Sequence, residues 1–423
     1  MADTIFAVSS GRPPAAIAVI RVSGALAMAC AQSLAGNIPE PRRATLRQIR
    51  NADGLLLDRA LLLAFPGPES ATGEDLLEIH AHGGPAVVAA IEAALAAMAG
   101  VRRAEPGEFT RRALEHGRLD LSQAEALADL LAAETETQRR QAIRASEGEL
   151  SAAVIAWMDH LAAIAAMIEV AIDYDGEENS GDPEEAALRA TCAVRDDIAL
   201  ALARPPVERL HDGIRIVLAG PRNAGKSTLF NALVARDAAI TSPIAGTTRD
   251  LIEASVQRGG RAYVLVDTAG IVAETADPIE AIGIERAGQA IAHADVVLWL
   301  GDEVPPEQNG MIAVHPRADL HGREIAPEGR IAVSAGDAAS VERVWRAIDA
   351  KANLMIPAVD VMFNNRQRRA LREAWSAIAD PDDELLLLAE QLRVATRSLA
   401  AVIGVDATES MLDMLFSRFC LGK

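Results

Sequence analysis

Lysine is almost missing from this chain of 423 residues: of its 41 basic side chains only Lys226, Lys351 and Lys423 are lysine, and the rest are arginine. Lysine is therefore left where a compact, rotatable ammonium serves better than a planar fork. Cysteine is also scarce. Cys30, Cys192 and Cys420 form an odd, widely scattered set, which argues against a disulfide framework or a zinc site and fits a reducing cytoplasm. No uncharged apolar run reaches about 18 residues, the length at which a membrane span becomes a candidate. The nearest, Ala152 to Ile172, is broken by Asp159, His160 and Glu169 and reads as a buried helix, so no membrane association is expected. Residues Met1 to Ala7 lack the basic stretch, apolar block and cleavage site of a secretion signal, and a cytoplasmic location is expected. Positive charge is in deficit: 60 acidic groups against 41 basic give a net charge of -19. That balance opposes indiscriminate binding to nucleic acid, so an RNA partner would need a local patch or a second protein.

Length predicts two or three domains, and the pattern separates three kinds of region. From Asp3 to about Arg118, short apolar strands (Ala16 to Arg21, Asp75 to His80) mix with turns and one helix starting at Pro85 after Gly83-Gly84. From Asp120 the pattern turns helical. Ser122-Gln123-Ala124-Glu125 reads as a capping box opening a run to about Leu150, followed by Ser151 to Tyr174, an acidic Gly/Ser loop from Gly176 to Pro183, and a third helix ending near Arg204-Pro205-Pro206. From Gly213 to about Leu354 strands alternate with helices, the rhythm of a doubly wound parallel sheet. After Pro357 the chain is helical again, with a break at Asp380-Pro381-Asp382-Asp383. The expected fold is multidomain α/β: an N-terminal α/β domain over 1–118, a discontinuous helical domain over 119–210 and 358–423, and an inserted Ras-like P-loop domain over 211–357.

The insert carries the chemistry. Gly220-Pro221-Arg222-Asn223-Ala224-Gly225-Lys226-Ser227 fits G-x-x-x-x-G-K-[ST] and follows the strand-like run Ile214 to Ala219. Glycines let backbone N–H groups converge on phosphate at a helix N-terminus. Lys226 is expected to reach the β and γ phosphates and Ser227 to ligate magnesium, with Ala224, Gly225 and Thr228 lining the same loop. Gly246-Thr247-Thr248-Arg249-Asp250 follows, where the Thr248 hydroxyl would complete the magnesium shell while a γ-phosphate is present. Asp267-Thr268-Ala269-Gly270 ends a second strand, Ala262 to Val266; its carboxylate can hold magnesium through water, and the Gly270 N–H can meet the γ-phosphate.

For the base, Asp319 in Pro316-Arg317-Ala318-Asp319-Leu320 is the candidate guanine-reading carboxylate, with Arg317 stacking and Ser334-Ala335 supplying backbone N–H groups; Asp319 as a plain helix cap is the alternative. Ile271 follows the Asp267 motif, and an apolar side chain cannot orient a water. Asn223, with carbonyls of the Thr241 to Thr247 loop, is the candidate ligand of a potassium ion, the set being Asn223, Ser242, Ile244 and Thr247. Glu280 is a candidate for polarising the attacking water, and reads equally as a solvated helix-surface acid.

The whole chain resembles one family, the tRNA uridine-modification GTPases called TrmE or MnmE. The resemblance rests on Arg21-Val22-Ser23-Gly24, on Glu78 with His82-Gly83-Gly84-Pro85, on Ala104 to Arg112, on Gly117 to Leu121 with Gln123-Ala124-Glu125, on the motifs above and on Phe419-Cys420-Leu421-Gly422-Lys423. It implies a folate-binding N-terminal domain, with Arg21, Glu78, Arg118 and Lys423 at the positions of the ligands to a 5-formyl-tetrahydrofolate type folate. Arg118 stands where a lysine is expected and keeps the charge. Cys420 would be the functional cysteine beside that site, sharing the catalytic work with Glu280, Asp267 and Lys226. The resemblance further implies a homodimer, potassium- and magnesium-dependent GTP hydrolysis, and a partner using FAD and NADH in a heterotetramer or larger assembly. Together they would modify carbon 5 of the wobble uridine of tRNA. Two other readings compete: a GTP-dependent switch for ribosome assembly or signalling, and a folate-dependent one-carbon transferase regulated by GTP.

Overall fold

The computed structural model describes residues 3–173, 183–221, 223–235, 238–239, 252–268, 288–303, 310–355, 362–405, 408–417, 419 and 422. The chain divides into two units, one made of Met1–Ala128, Ala145–Ala162 and Thr396–Lys423, the other of Asp129–Arg144 and Ala163–Ala395.

The first unit is built on a six-stranded sheet of β1 (Thr4–Val8), β2 (Ile17–Ser23), β3 (Thr45–Arg50), β4 (Leu56–Phe65), β5 (Leu76–His82) and β6 (Val101–Arg103), in the order β3-β4-β5-β2-β1-β6. The pairings are antiparallel except β1 with β6. Strand alternation sorts β5 cleanly: Leu77, Ile79 and Ala81 enter the core, while Glu78, His80 and His82 take the other face. Where the sequence predicts one helix, three form: α1 (Ala27–Ala35), α2 (Pro85–Ala96) and α3 (Glu108–Glu115). Pro85 and Gly84 announce α2, but α1 has no side-chain cap, and α3 reads as a charged segment although it buries Phe109, Thr110, Arg112 and Ala113.

Arg112 is the ionic centre of this unit. It is 8% exposed and donates to both carboxylate oxygens of Glu74 at 3.0 and 3.2 Å, to Glu108 Oε1 at 3.1 Å and to the Asp3 carbonyl at 2.8 Å. Ser23 donates to Glu74 Oε2 at 2.8 Å and shares a 2.7 Å bond with Thr72. The described residues of the C-terminal segment are docked on this unit. Phe416 and Phe419 pack with Ala124, Ser9 Oγ donates to the Gly422 carbonyl at 2.7 Å, and a Cβ on Gly422 would come within 2.2 Å of the Val8 carbonyl.

The helical run after Asp120 departs from expectation. It is not one helix to Leu150 but α4 (Leu121–Ala132) and α5 (Glu136–Ser146), followed by α6 (Glu149–Asp173). The capping box lies two residues earlier than Ser122: Asp120 Oδ1 accepts from the Gln123 N–H at 2.9 Å and Gln123 Oε1 accepts from the Asp120 N–H at 3.0 Å. Asp competes well as a cap, and the Ser122 hydroxyl turns to Asp120 and Ser151 instead. Thr135 and Gln138 repeat the device before α5. Left-handed Gly148, φ 89°, separates α5 from α6. Among the described residues, α6 is the one helix long and apolar enough to cross a membrane. It is not buried all round as predicted: Leu150, Val154, Leu161, Ile164 and Ile168 are buried, but Ile155, Met167 and Val170 are exposed. α7 (Pro183–Ala203) ends where Arg204-Pro205-Pro206 predicts, and α8 (Glu208–Asp212) follows.

The second unit holds a seven-stranded sheet of β7 (Ile214–Ala219), β8 (Ala238–Ala239), β9 (Ile252–Arg258), β10 (Arg261–Asp267), β11 (Val296–Trp299), β12 (Met311–Pro316) and β13 (Ile331–Val333), ordered β13-β12-β11-β7-β10-β9-β8. Strand β7 runs parallel to both neighbours, with Asp267 opposite Leu218 on one side and Trp299 opposite Ala219 on the other. Covered on both faces, it is nearly continuous in apolar residues. The predicted parallel sheet is thus present, with an antiparallel edge at β9 and β8. Helices α9 (Lys226–Val234) and α10 (Ala338–Met355) pack on it around Trp345, Tyr263, Leu218 and Leu229. α11 (Asn365–Ala377), opened by an Asn364–Gln367 capping box, lies on α7 and is followed after the break at 380–383 by α12 (Leu385–Ile403). α13 (Glu409–Phe416) completes the helices of the first unit.

Removing Arg112 leaves the half-buried Glu74 without its counter-charge. Arg112→Ala is expected to destabilise the first unit by about 3 to 5 kcal/mol, read as a lower urea midpoint in denaturation followed by circular dichroism.

Candidate functional site

The phosphate loop leaves the C-terminal end of β7, where the strand order diverges to β10 on one side and β11 on the other, the place where open α/β sheets bind ligands. Gly220 is required there. Its φ is 144°, and a Cβ would lie 3.1 Å from the Leu300 carbonyl carbon and 3.2 Å from the Gly301 nitrogen. Gly225, φ 95°, turns the chain into α9, and Lys226 occupies the first helical position.

Lys226 is 8% exposed, and its ammonium donates to the carbonyls of Gly220 at 2.9 Å and Pro221 at 2.8 Å. Burial pushes its pKa below the ordinary lysine value, an effect partly countered by the charge of Asp267. Asp267, 1% exposed, ends β10, and Thr268 Oγ1 donates to the Leu218 carbonyl at 2.7 Å, tying β10 to β7. Ser227 and Thr228 are exposed on the first turn of α9. A half-turned loop, a buried cation, a buried carboxylate and a helix N-terminus with exposed hydroxyls form a receptor for a polyphosphate and its divalent ion.

Of the base-reading candidates, Arg317 reaches this loop directly. Arg317, φ 57°, donates to the Asn223 carbonyl, and the Ala318 N–H donates to the Val333 carbonyl at 3.2 Å. Asp319 and Ser334 therefore flank a hydrogen-bonded pair, with Asp319 exposed. Ser340 fixes the Ser334 loop from both sides, donating to its carbonyl at 2.9 Å and accepting from its N–H at 3.1 Å. Asn223 is exposed with φ 59°. Thr247, Thr248, Ala269, Gly270, Glu280, Ser242 and Ile244 lie outside the described residues, as do Cys420 and Lys423.

In the first unit, antiparallel register places Arg21 opposite Glu78. Arg21 donates to Glu78 Oε1 through Nη2 at 2.8 Å and Nε at 3.2 Å. Sequence reasoning missed two further contacts. His80 Nε2 lies 3.2 Å from Glu78 Oε2, and the Arg21 guanidinium sits 5.9 Å from the Phe109 ring centre. The period of two along β5 was the available signal for His80. Burial alone would push the Glu78 carboxyl up, but the bonds from Arg21 and His80 outweigh it, so its pKa falls below the ordinary value. Arg118 is exposed on the turn after α3, its stem near Gly73. Burial pushes the Cys30 thiol up to about 11 and leaves it inert.

Comparison with known proteins matches residues 4–118 to the profile described as GTP-binding protein TrmE N-terminus and residues 121–420 to the MnmE helical domain. The chain is 47% identical over 424 residues to the tRNA modification GTPase MnmE of Erythrobacter litoralis, with 100% of both chains covered. To the protein of the same name from Rhizorhabdus wittichii it is 48% identical over 426 residues, covering 100% of this chain and 97% of the other. To that of Novosphingobium aromaticivorans it is 47% identical over 437 residues, with full coverage of both.

Three outcomes follow from this geometry. Gly220→Ala is expected to weaken nucleoside triphosphate binding about tenfold or more through strain and contact with Leu300, and Lys226→Ala to abolish turnover with the circular dichroism spectrum unchanged; titration and hydrolysis assays check both. Glu78 has a depressed pKa in the folded state, so its contribution is present above the unfolded value, roughly 4.3, and is lost as pH falls through the folded one. Glu78→Gln should therefore be less stable than the parent at pH 7 by thermal denaturation, with the gap closing below about pH 4.

Proposed function

This chain belongs to the MnmE family of tRNA modification GTPases, and from that premise we propose that it hydrolyses GTP in a potassium-dependent manner to drive modification of carbon 5 of the wobble uridine of tRNA. The observation that carries the reading is the buried Lys226 ammonium beside Asp267 at the head of α9, in a chain related over its full length to tRNA modification GTPases. The residues suit Mg-GTP: Lys226 for the β and γ phosphates, Ser227 with Thr248 for magnesium, Asp267 for a magnesium-bound water, and Asp319 with Ser334 and Ala335 for guanine. Magnesium held by Ser227 and Thr248 would neutralise charge on the transferred phosphoryl group. Potassium held by Asn223, Ser242, Ile244 and Thr247 would add positive charge where an arginine finger acts in other GTPases. Glu280 positions the water.

The Arg21–Glu78 pair supports a folate site in the region 1–118, since a half-buried carboxylate flanked by a guanidinium and an imidazole offers an acceptor and donors to a pterin ring. Arg118 and Lys423 would meet the folate's negative charge, and the folate would supply the one-carbon unit, with Cys420 beside it. The remaining arrangement belongs to the same proposal: helical segments 119–210 and 358–423 around a GTPase insert 211–357, a homodimer, and a partner protein carrying FAD and NADH. With a net charge of -19, the chain leaves much of the grip on tRNA to a local patch or to that partner.

Nucleoside analysis of tRNA from cells lacking this chain should show the wobble uridine unmodified, and the parent gene but not Lys226→Ala should restore it; an unaltered nucleoside profile sinks the reading. GTP hydrolysis is expected to run about tenfold or more faster in potassium than in sodium, and equal rates in the two salts would remove the proposed ion site.

A further inference from the structure

The loop after β12, residues 317–330, is gripped by its own arginines. Arg323 lies bidentate on Asp302, Nη1 to Oδ2 and Nη2 to Oδ1 both at 2.9 Å, and its Nε donates to the Pro316 carbonyl at 3.2 Å. His315, 5% exposed, closes the ring: its Nε2 is 3.0 Å from the Arg323 carbonyl, and its Nδ1 is 3.4 Å from Arg323 Nη2 and 3.6 Å from Asp302 Oδ1. Arg330 donates to the carbonyls of Gly301 and Glu303 in the segment that follows β11. At the other end of the loop, Arg317 donates to the Asn223 carbonyl.

Residues 316–319 are therefore pinned on two sides, to the phosphate loop and to the segment after β11. Pro316 has neither an N–H nor a polar side chain, so at that position only its carbonyl can be held, and Arg323 holds it. A partly exposed ion pair adds little to stability by itself. A bidentate guanidinium whose fifth donor reaches a backbone carbonyl fixes position instead, which an ammonium cannot reproduce. Arg317 stands in the left-handed region, φ 57°, a conformation that persists where the surroundings over-determine it.

We infer that the Asp302–Arg323 pair, acting through the Pro316 carbonyl, places Asp319 for reading the guanine base, so that both are positioning residues for base specificity. The inference rests on the reading of this site as a GTP site. It makes the exocyclic amine of guanine the group whose recognition depends on the pair, because a carboxylate accepts from that amine.

The test measures kcat and KM of the full-length protein with GTP and with inosine triphosphate, which lacks the amine, for the parent, Arg323→Ala, Arg323→Lys and Asp302→Asn. The parent should prefer GTP. Each variant should raise KM for GTP about fivefold or more with kcat kept, and cut the preference for GTP over inosine triphosphate by a similar factor. Arg323→Lys should not restore it. An unchanged preference, an equal loss with both nucleotides, or a parent indifferent between GTP and inosine triphosphate overturns the inference while leaving the GTP site standing; a parent that turns over neither nucleotide overturns both. Asp302→Asn keeps the side-chain volume and carries the test if Arg323→Ala fails to fold.

Discussion

A lysine only 8% exposed must find partners for its ammonium or lose its charge, and the site in the second unit is arranged around that demand on Lys226. The two carbonyls that receive it belong to Gly220 and Pro221, so the loop has to double back over the start of α9. Doubling back so close to the end of β11 requires a residue without Cβ at 220 and a left-handed residue at 225. The buried Asp267 supplies the compensating charge from the adjacent strand, and Thr268 locks that strand to β7. A polyphosphate brought to this place meets a cation already desolvated and already oriented, which strengthens each contact it makes.

The rest of the molecule is held by arginine. Arg112 joins Glu74, Glu108 and a backbone carbonyl in the first unit; Arg21 joins Glu78; Arg258 reaches Glu342 and Asp349 while lying 5.1 Å from the Trp345 ring centre. Each uses several donors of the planar fork at once, Arg21 placing two on one carboxylate oxygen and Arg112 reaching four acceptor atoms, a fixed geometry that one rotating ammonium cannot reproduce. Lysine is left to the phosphate loop, where a point charge is needed, and to Lys351 and Lys423. The composition is thus a division of labour between fixing geometry and meeting phosphate.

Much of this was legible from residue order. The run Ile214 to Ala219 with the glycines after it announces a buried strand and a phosphate turn, because both depend on local chemistry. Pro85 announces α2 for the same reason. What stayed hidden depended on distant partners. Asp120 serves as the cap while Ser122 is engaged by Ser151, 29 residues away in the chain. α3 looks too polar for a helix until Glu74 and Asp3 arrive to receive Arg112. The exposed face of α6 cannot be told from its buried one by hydropathy, since both are apolar. In the candidate site, the motif glycines, Lys226 and Asp267 could be read directly; the grip of Arg323 on Pro316 could not, because nothing local connects them to Asp302.

The bond from Ser9 to Gly422 joins residues 413 positions apart. Val8 and Ser9 are synthesised long before residue 422, so the end of β1 lacks this one contact throughout synthesis of the entire nucleotide-binding region. Loop closure over such a span grows slowly with length, so the delay is set by translation and not by the search. The contact therefore makes the last support of an early strand depend on residues made after the whole nucleotide-binding region.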